Sequence, residues 1–354
     1  MASSRMRTAY LRKGMIISRD VYSNGGVLVV KSGTAVSSYV IEMLTRHFIE
    51  YVYVDFATEL GKPRTIAQTT EEQREEFAKS MEVAEERLSG NLKAIMEQDA
   101  EIDVPELFEM VNEVFKKASG DVSLCDMLLS MKESQEGLYR HSLNVSLLGQ
   151  VLARWLEFTD DEIECVSVAG LLHDIGILEF KDVVPNNEFF NDMWKNTNHR
   201  YEKHVLNGYN KLKNKDIDFR IKQAILTHHE RIDKSGYPMR VGIENMNKIS
   251  RVIAIADTYD ILTMHVKDSE NMSPLEVMNF LEDLSYSKLD PNMLRVFIDK
   301  VTNSYIQHEV LLSNGTTGKI IIINKHNIAR PLVETSTGFI DLAVTAGIRI
   351  VKFL

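Results

Sequence analysis

Six of the chain's 10 histidines, His141, His173, His199, His204, His228 and His229, fall within about ninety residues of one helical stretch, beside Asp174 and later Asp257. His173-Asp174 closes the apolar run 166–172. His228-His229 follows Ala224-Ile225-Leu226, and Asp257 ends the run Val252 to Ala256. An unpaired carboxylate or a row of imidazoles on buried helices is costly unless coordinated or hydrogen-bonded. The fold must therefore be one in which helices converge these groups on a common centre.

Imidazole and carboxylate without thiolate select iron, manganese, zinc or similar divalent ions rather than a cysteine-rich structural zinc site. Neighbouring side chains on a helix diverge by roughly 100 degrees, so a His-Asp or His-His pair straddles two ions more naturally than it chelates one. With Asp174 as a bridge, His141, His173 and Asp257 complete one ion, and His204, His228 and His229 the other. Each ion then keeps open positions for water and for a substrate oxygen, which is catalytic coordination.

The rest of the chain frames this centre. From Leu11 to Val54 two short β segments (Met15 to Val21, Val27 to Val30) are joined by the turn Ser23-Asn24-Gly25-Gly26. A helix capped by Ser37 or Ser38 and a strand at Tyr51 to Val54 follow. A polar linker with Gly61, Lys62 and Pro63 leads into an acidic helix, on which Phe77, Met81, Ala84, Leu88, Leu92 and Ile95 recur at steps of three and four. That stripe packs on its own domain or forms a dimer seam. Helical periodicity continues to about Tyr305, where the period switches to two and Ser313-Asn314-Gly315 marks a hairpin. The expected fold is mainly α: an all-helical catalytic core with a small α/β N-terminal domain and a small C-terminal β unit. Its segments are 1–60, a linker and helical connector at 61–120, the core at 121–305 and the β subdomain at 306–354.

Composition narrows the function classes. The formal charge of −10 provides no general attraction to a nucleic acid polymer or an anionic membrane, so a phosphate-bearing ligand needs a local positive centre. Two cysteines exclude a disulfide framework and fit a reducing compartment. No run of 18 apolar residues offers membrane insertion, and the expected location is the cytoplasm.

With these residues in view, the core resembles the HD-GYP family, cyclic di-GMP phosphodiesterases within the HD metal-dependent phosphohydrolases. Tyr139-Arg-His-Ser-Leu-Asn-Val145 is similar to the family's opening helix, Leu171-Leu-His-Asp-Ile-Gly176 to its HDIG motif, and His204-Val-Leu-Asn-Gly208 to its H-P-x-x-G segment. His228-His-Glu-Arg-Ile-Asp-Lys-Ser-Gly-Tyr-Pro238 resembles the HHE-to-GYP signature, and Ile253-Ala-Ile-Ala-Asp-Thr-Tyr-Asp260 the last metal helix. The resemblance implies two divalent ions, Fe or Mn, and hydrolysis of cyclic di-GMP to linear pGpG, with GMP as a further product. It implies Asp174 and His173 at the reacting centre and a pocket shaped by Gly236, Tyr237 and Pro238. Lys234, Arg251 and Lys267 are candidate phosphate contacts, although a structural ion pair is the default for Arg251. The departures are specific. Ile177 stands where the family has a phosphate-binding Lys, only Lys267 remains of its Arg-Pro-Tyr stretch, and Val205 and Lys234 replace Pro and Gly. Gly137 stands where a third-metal carboxylate would be, so two metals are expected. Asp260 and Glu230 are read as supports for ligands, and His199 as a surface residue. The rival reading is a catalytically weak or inactive cyclic-dinucleotide sensor that keeps its metals, and a third is an iron-dependent oxygenase. The N-terminal region is the expected contact for a homodimer or a signalling partner.

Overall fold

The computed structural model describes residues 4–11, 13–23, 25–55, 71–120, 127–128, 137–181, 199–263, 272–284 and 287–354. The four segments read from the sequence group into two compact units. Met1–Gln68 joins Tyr305–Leu354 in one, and Thr69–Ser304 forms the other.

In the first unit the chain runs through β1 (Ser4–Arg7), β2 (Ile16–Ile17), β3 (Val21–Tyr22), β4 (Leu28–Val30), α1 (Ser38–Arg46) and β5 (Tyr51–Asp55). The central strand β5 pairs antiparallel with both β1 and β2. Period-2 alternation buries Val52 and Val54 and leaves Tyr51 and Tyr53 on the other face. The Gly-rich turn joins β3 to β4; the segment Met15 to Val21 is divided, Ile16–Ile17 joining the larger sheet as β2 while Val21 pairs with Val30 across the hairpin. Ser37 is the cap of α1, its hydroxyl accepting the Val40 N–H at 3.2 Å.

The C-terminal strands β6 (Glu309–Leu312), β7 (Thr317–Ile322), β8 (Leu332–Thr335), β9 (Gly338–Asp341) and β10 (Ile350–Phe353) form an antiparallel sheet in the order β10-β6-β7-β8-β9. Ile322 and Leu332 share one buried cluster with Met6, Ile17, Leu44 and Val54, so the two ends of the chain complete a single core.

The second unit is helical: α2 (Glu71–Gln98), α3 (Val104–Gly120), α4 (Leu138–Trp155), α5 (Asp160–Leu172), α6 (His204–Leu212), α7 (Phe219–Thr227), α8 (Lys248–Thr263), α9 (Pro274–Leu284) and α10 (Pro291–Ser304). The six apolar stripe positions of α2 are all buried, on α3 and α4 of the same chain. Helix α4 is buried along nearly its whole length, and α5, α8 and α10 pack around it. A capping box starts α5: Thr159 accepts the Glu162 N–H at 3.4 Å and Glu162 accepts the Thr159 N–H at 3.1 Å. The chain then turns through a short 3-10 helix, Ile175–Glu179, and meets the start of α6. A Cβ on Gly176 would lie 2.0 Å from the His204 carbonyl oxygen. Only glycine admits that contact, which sets His204 against the His173-Asp174 turn.

Candidate metal centre

The seven side chains read as ligands meet in the second unit, each 7% exposed or less. His141 comes from α4, His173 and Asp174 from the end of α5, His204 from the start of α6, His228 and His229 from the end of α7, and Asp257 from α8. Two groups can each hold an ion: Asp174 with His204, His228 and His229, and His141 with His173 and Asp257. Within each group the ligand atoms lie within 4.8 Å of one another.

Asp174 stands between the groups. Its Oδ1 is 3.0 Å from His204 Nε2 and 3.6 Å from His228 Nε2, while its Oδ2 is 3.2 Å from His173 Nε2 and 3.5 Å from His141 Nε2. Asp257 Oδ1 is 3.3 Å from His141 Nε2, and His229 Nδ1 is 3.8 Å from Asp257 Oδ2.

One local device orients three of the rings. His173 Nδ1 lies 2.7 Å from the Gly170 carbonyl, His204 Nδ1 2.6 Å from that of Tyr201, and His228 Nδ1 3.0 Å from that of Ile225. Each carbonyl is three residues back in a helical turn. An Nδ1–H donated there assigns the tautomer and leaves the Nε2 lone pair facing the centre. His173 and His228 also occupy the C-caps of α5 and α7, ends whose carbonyls favour cations. For His141 the same part is played by Asp260, whose Oδ2 accepts Nδ1–H at 2.8 Å while its Oδ1 takes the Asn144 amide at 3.0 Å. Asn144 was not singled out in the sequence, although it stands one helical turn after His141.

The electrostatics fit a cation. Burial opposes charge on His141, but Asp174, Asp257 and Asp260 outweigh it and hold the ring well above the usual His range. Burial lowers His228 to about 4, and burial with the neighbouring His228 and His204 holds His229 well below its ordinary value. Burial raises Asp174, yet His173, His204 and His141 overcome it and keep the carboxyl ionised. Both Asp174 oxygens, Asp257 Oδ1 and His229 Nε2 are buried without a hydrogen-bond partner. Orphaned carboxylate oxygens among imidazole nitrogens are a donor set that a divalent ion satisfies.

The Gly236-Tyr237-Pro238 loop packs directly on this centre. A Cβ on Gly236 would fall 2.2 Å from the His229 carbonyl oxygen, so the loop approaches as backbone against backbone. Tyr237 stacks on His229 with ring centroids 4.7 Å apart and the planes 26° from parallel. Burial and the nearby Asp174 push its phenol well above its ordinary pKa. Glu230 does not orient a histidine as expected. Its carboxylate accepts the backbone N–H groups of Met239 (2.7 Å), Arg240 (3.0 Å) and Val241 (3.0 Å), clamping the chain that follows the loop.

The expected phosphate contacts fare differently. Arg251 donates to the Met246 and Ile243 carbonyls at 3.0 and 2.8 Å and to Asp290 at 3.4 Å, so its guanidinium is committed to a turn. Lys234 is exposed, pairs with Glu244 at 3.6 Å and holds φ at +63°, the conformation its family glycine would adopt without strain. Lys267 lies outside the described residues. Ile177, at the position of the family's phosphate-binding Lys, is 1% exposed in an apolar cluster with Leu138 and Ile261, flanked by Phe180 and Tyr201. His199 is exposed, as expected.

Residues 138–262 match the HD domain family. The chain is 27% identical over 237 residues to cyclic di-GMP phosphodiesterase PA4108 of Pseudomonas aeruginosa, covering 66% of this chain and 56% of that one. It is 28% identical over 192 residues to 3'3'-cGAMP-specific phosphodiesterase 1 of Vibrio cholerae, covering 51% and 41%. With cyclic di-GMP phosphodiesterase PdeB of Borreliella burgdorferi it shares 26% over 204 residues, covering 55% and 51%. The chain thus spans about half the length of these curated relatives. Among the described residues no helix is long and apolar enough to cross a membrane.

Proposed function

From the match of residues 138–262 to the HD domain family, we propose that the chain is a two-metal phosphodiesterase that hydrolyses cyclic di-GMP to linear pGpG. The observation that carries this reading is the single buried Asp174 carboxylate, with one oxygen toward each of two imidazole groups. His141, His173 and Asp257 would hold one ion, and His204, His228 and His229 the other. Divalent ions bound there, Fe or Mn as the HD-GYP resemblance implies, would supply charge to a phosphodiester and lower the pKa of bound water to about 7.

The chain's own residues do the positioning. The carbonyls of Gly170, Tyr201 and Ile225 hold the rings, and the chain clamped by Glu230 fixes the Gly236-Tyr237-Pro238 loop beside the centre. Tyr237, stacked on His229 and kept protonated by burial, would offer a hydroxyl donor to an anionic phosphate oxygen. Curated relatives named for cyclic di-GMP and for 3'3'-cGAMP support a cyclic dinucleotide as substrate.

A sensor that keeps its metals but turns over slowly is the second reading, favoured by Ile177, which leaves no cation at that position. One assay separates them. Metal-loaded protein is incubated with cyclic di-GMP or 3'3'-cGAMP under Mn and under anaerobic Fe, and products are resolved by chromatography. Linear dinucleotide is expected, and ligand recovered bound but unchanged under both metals overturns hydrolysis in favour of the sensor.

A further inference from the structure

Charge is segregated along this acidic chain. Residues 1–55 carry seven Lys or Arg against four Asp or Glu, a formal +3 in a protein of −10, and the first 19 residues contain five cations and no acid. The structure arrays three of these on one sheet face. Arg5 lies opposite Tyr53 and Arg7 opposite Tyr51, while the intervening Met6 and Val52 are buried on the other face. The Arg5 guanidinium is 4.2 Å from the Tyr51 ring centroid, that of Arg7 5.6 Å from the same ring, and that of Arg19 3.9 Å from Tyr53. Arg7 also donates to the Tyr51 hydroxyl at 3.1 Å. A guanidinium stacked on a ring keeps its N–H edge for a phosphate. Among the described residues no carboxylate forms an ion pair with Arg5 or Arg19. The acid next in sequence, Asp20, gives Oδ1 to the Ser32 N–H at 2.7 Å.

A second feature adjoins the ladder in sequence. Three residues after Arg19 the β3–β4 hairpin begins, and it exposes Tyr22, Val27 and Leu28 to 54%, 63% and 46%. Large apolar side chains on a hairpin add no fold stability while they stay in water.

We propose that this Arg-Tyr face and the β3–β4 hairpin form a peripheral docking surface for an anionic phospholipid bilayer. Charge complementarity selects an anion, and the hairpin decides which one. A nucleic acid presents phosphates with nothing apolar beside them, whereas a bilayer presents phosphate and hydrocarbon within about 5–10 Å of each other. Tyrosine and arginine at one level are also the composition of interfacial belts, where ring and cation sit among headgroups. The contact is adsorption, not insertion, and salt weakens it because the cations are exposed.

The test is sedimentation of the full chain with vesicles of phosphatidylcholine and phosphatidylglycerol in equal parts, and of phosphatidylcholine alone. Binding is expected to the anionic vesicles only, falling as salt rises from about 50 to 300 mM. The variant Arg5→Glu/Arg19→Glu should bind at least about 30-fold more weakly, since each cation near such a surface is worth about fivefold. Val27→Asp/Leu28→Asp should also weaken binding. All four residues are exposed and lie outside the metal centre, so unfolding temperature and cyclic di-GMP hydrolysis should be unchanged. No sedimentation with anionic vesicles at low salt overturns the proposal, as does wild-type affinity in both variants. Retention on single-stranded RNA or polyglutamate without vesicle binding overturns it in favour of a polymeric anion.

Discussion

Ile177 occupies the position after the His-Asp-Ile-Gly run, where the HD-GYP family carries a lysine. Its place in the Leu138–Ile261 cluster makes it a packing residue. Substituting lysine would bury an unpaired ammonium, whose pKa falls by about 3 to 5 units in such surroundings, at a cost of roughly 4 kcal/mol or more. Ile177→Lys should therefore unfold well below wild type in a thermal melt and hydrolyse no faster. A stable variant with a higher rate would show that the side chain escapes to the substrate side. Protons and metal also compete differently at the two groups. In the metal-free protein His141, raised by three carboxylates, is charged at neutral pH, whereas burial keeps His228 and His229 neutral. Metal binding at the His141 group must release that proton, so its affinity should rise with pH across the neutral range. Calorimetry in buffers of different ionisation heat checks this, and uptake without proton release at pH 7 would contradict it.

Element by element, the site was legible where chemistry must repeat and illegible where backbone closes on itself. The apolar runs ending in His173-Asp174 and His228-His229 marked two helix ends, and the structure places those residues at the ends of α5 and α7. Residue types alone announce such a cluster because buried imidazole and carboxylate need partners. The carbonyls three residues back could not be foreseen, since every turn offers one. Nor could the acceptors' role of Glu230, whose partners are backbone N–H groups nine to eleven residues on. Those three bonds are charge-assisted, the stronger class. Glu230→Ala should leave metal content near wild type while weakening cyclic-dinucleotide binding at least about tenfold, measured by calorimetry. Parallel loss of metal would mean that the clamp holds the His228-His229 turn and not the loop alone.

At the scale of the whole molecule, hydrophobic period told which faces are buried but not by what. The stripe on α2 reads first as a face packed on its own domain and second as a dimer seam, and the chain's own α3 and α4 cover it. The first and last segments read as separate pieces, yet they share one core, a long-range pairing that no local pattern records. In the helical unit, α4 to α8 are tied through the ligand cluster, so metal should brace it as a body. Cys165 on α5 reports on that bracing. It is 4% exposed, and burial pushes its thiol up to about 12, leaving roughly a thousandfold less thiolate than an unfolded cysteine near neutral pH. Mass-spectrometric mapping should find Cys165 resistant to iodoacetamide in metal-loaded protein and faster to react after chelation. Alkylation at the unfolded rate with metal bound would contradict a braced core.

The central claim is that one carboxylate serves two ions, and elemental analysis of wild type beside Asp174→Ala, with circular dichroism to verify folding, tests it most directly. The account predicts close to two divalent ions per wild-type chain and close to none in the folded variant, because Asp174 faces both imidazole groups. A folded Asp174→Ala protein that retains both ions would contradict it.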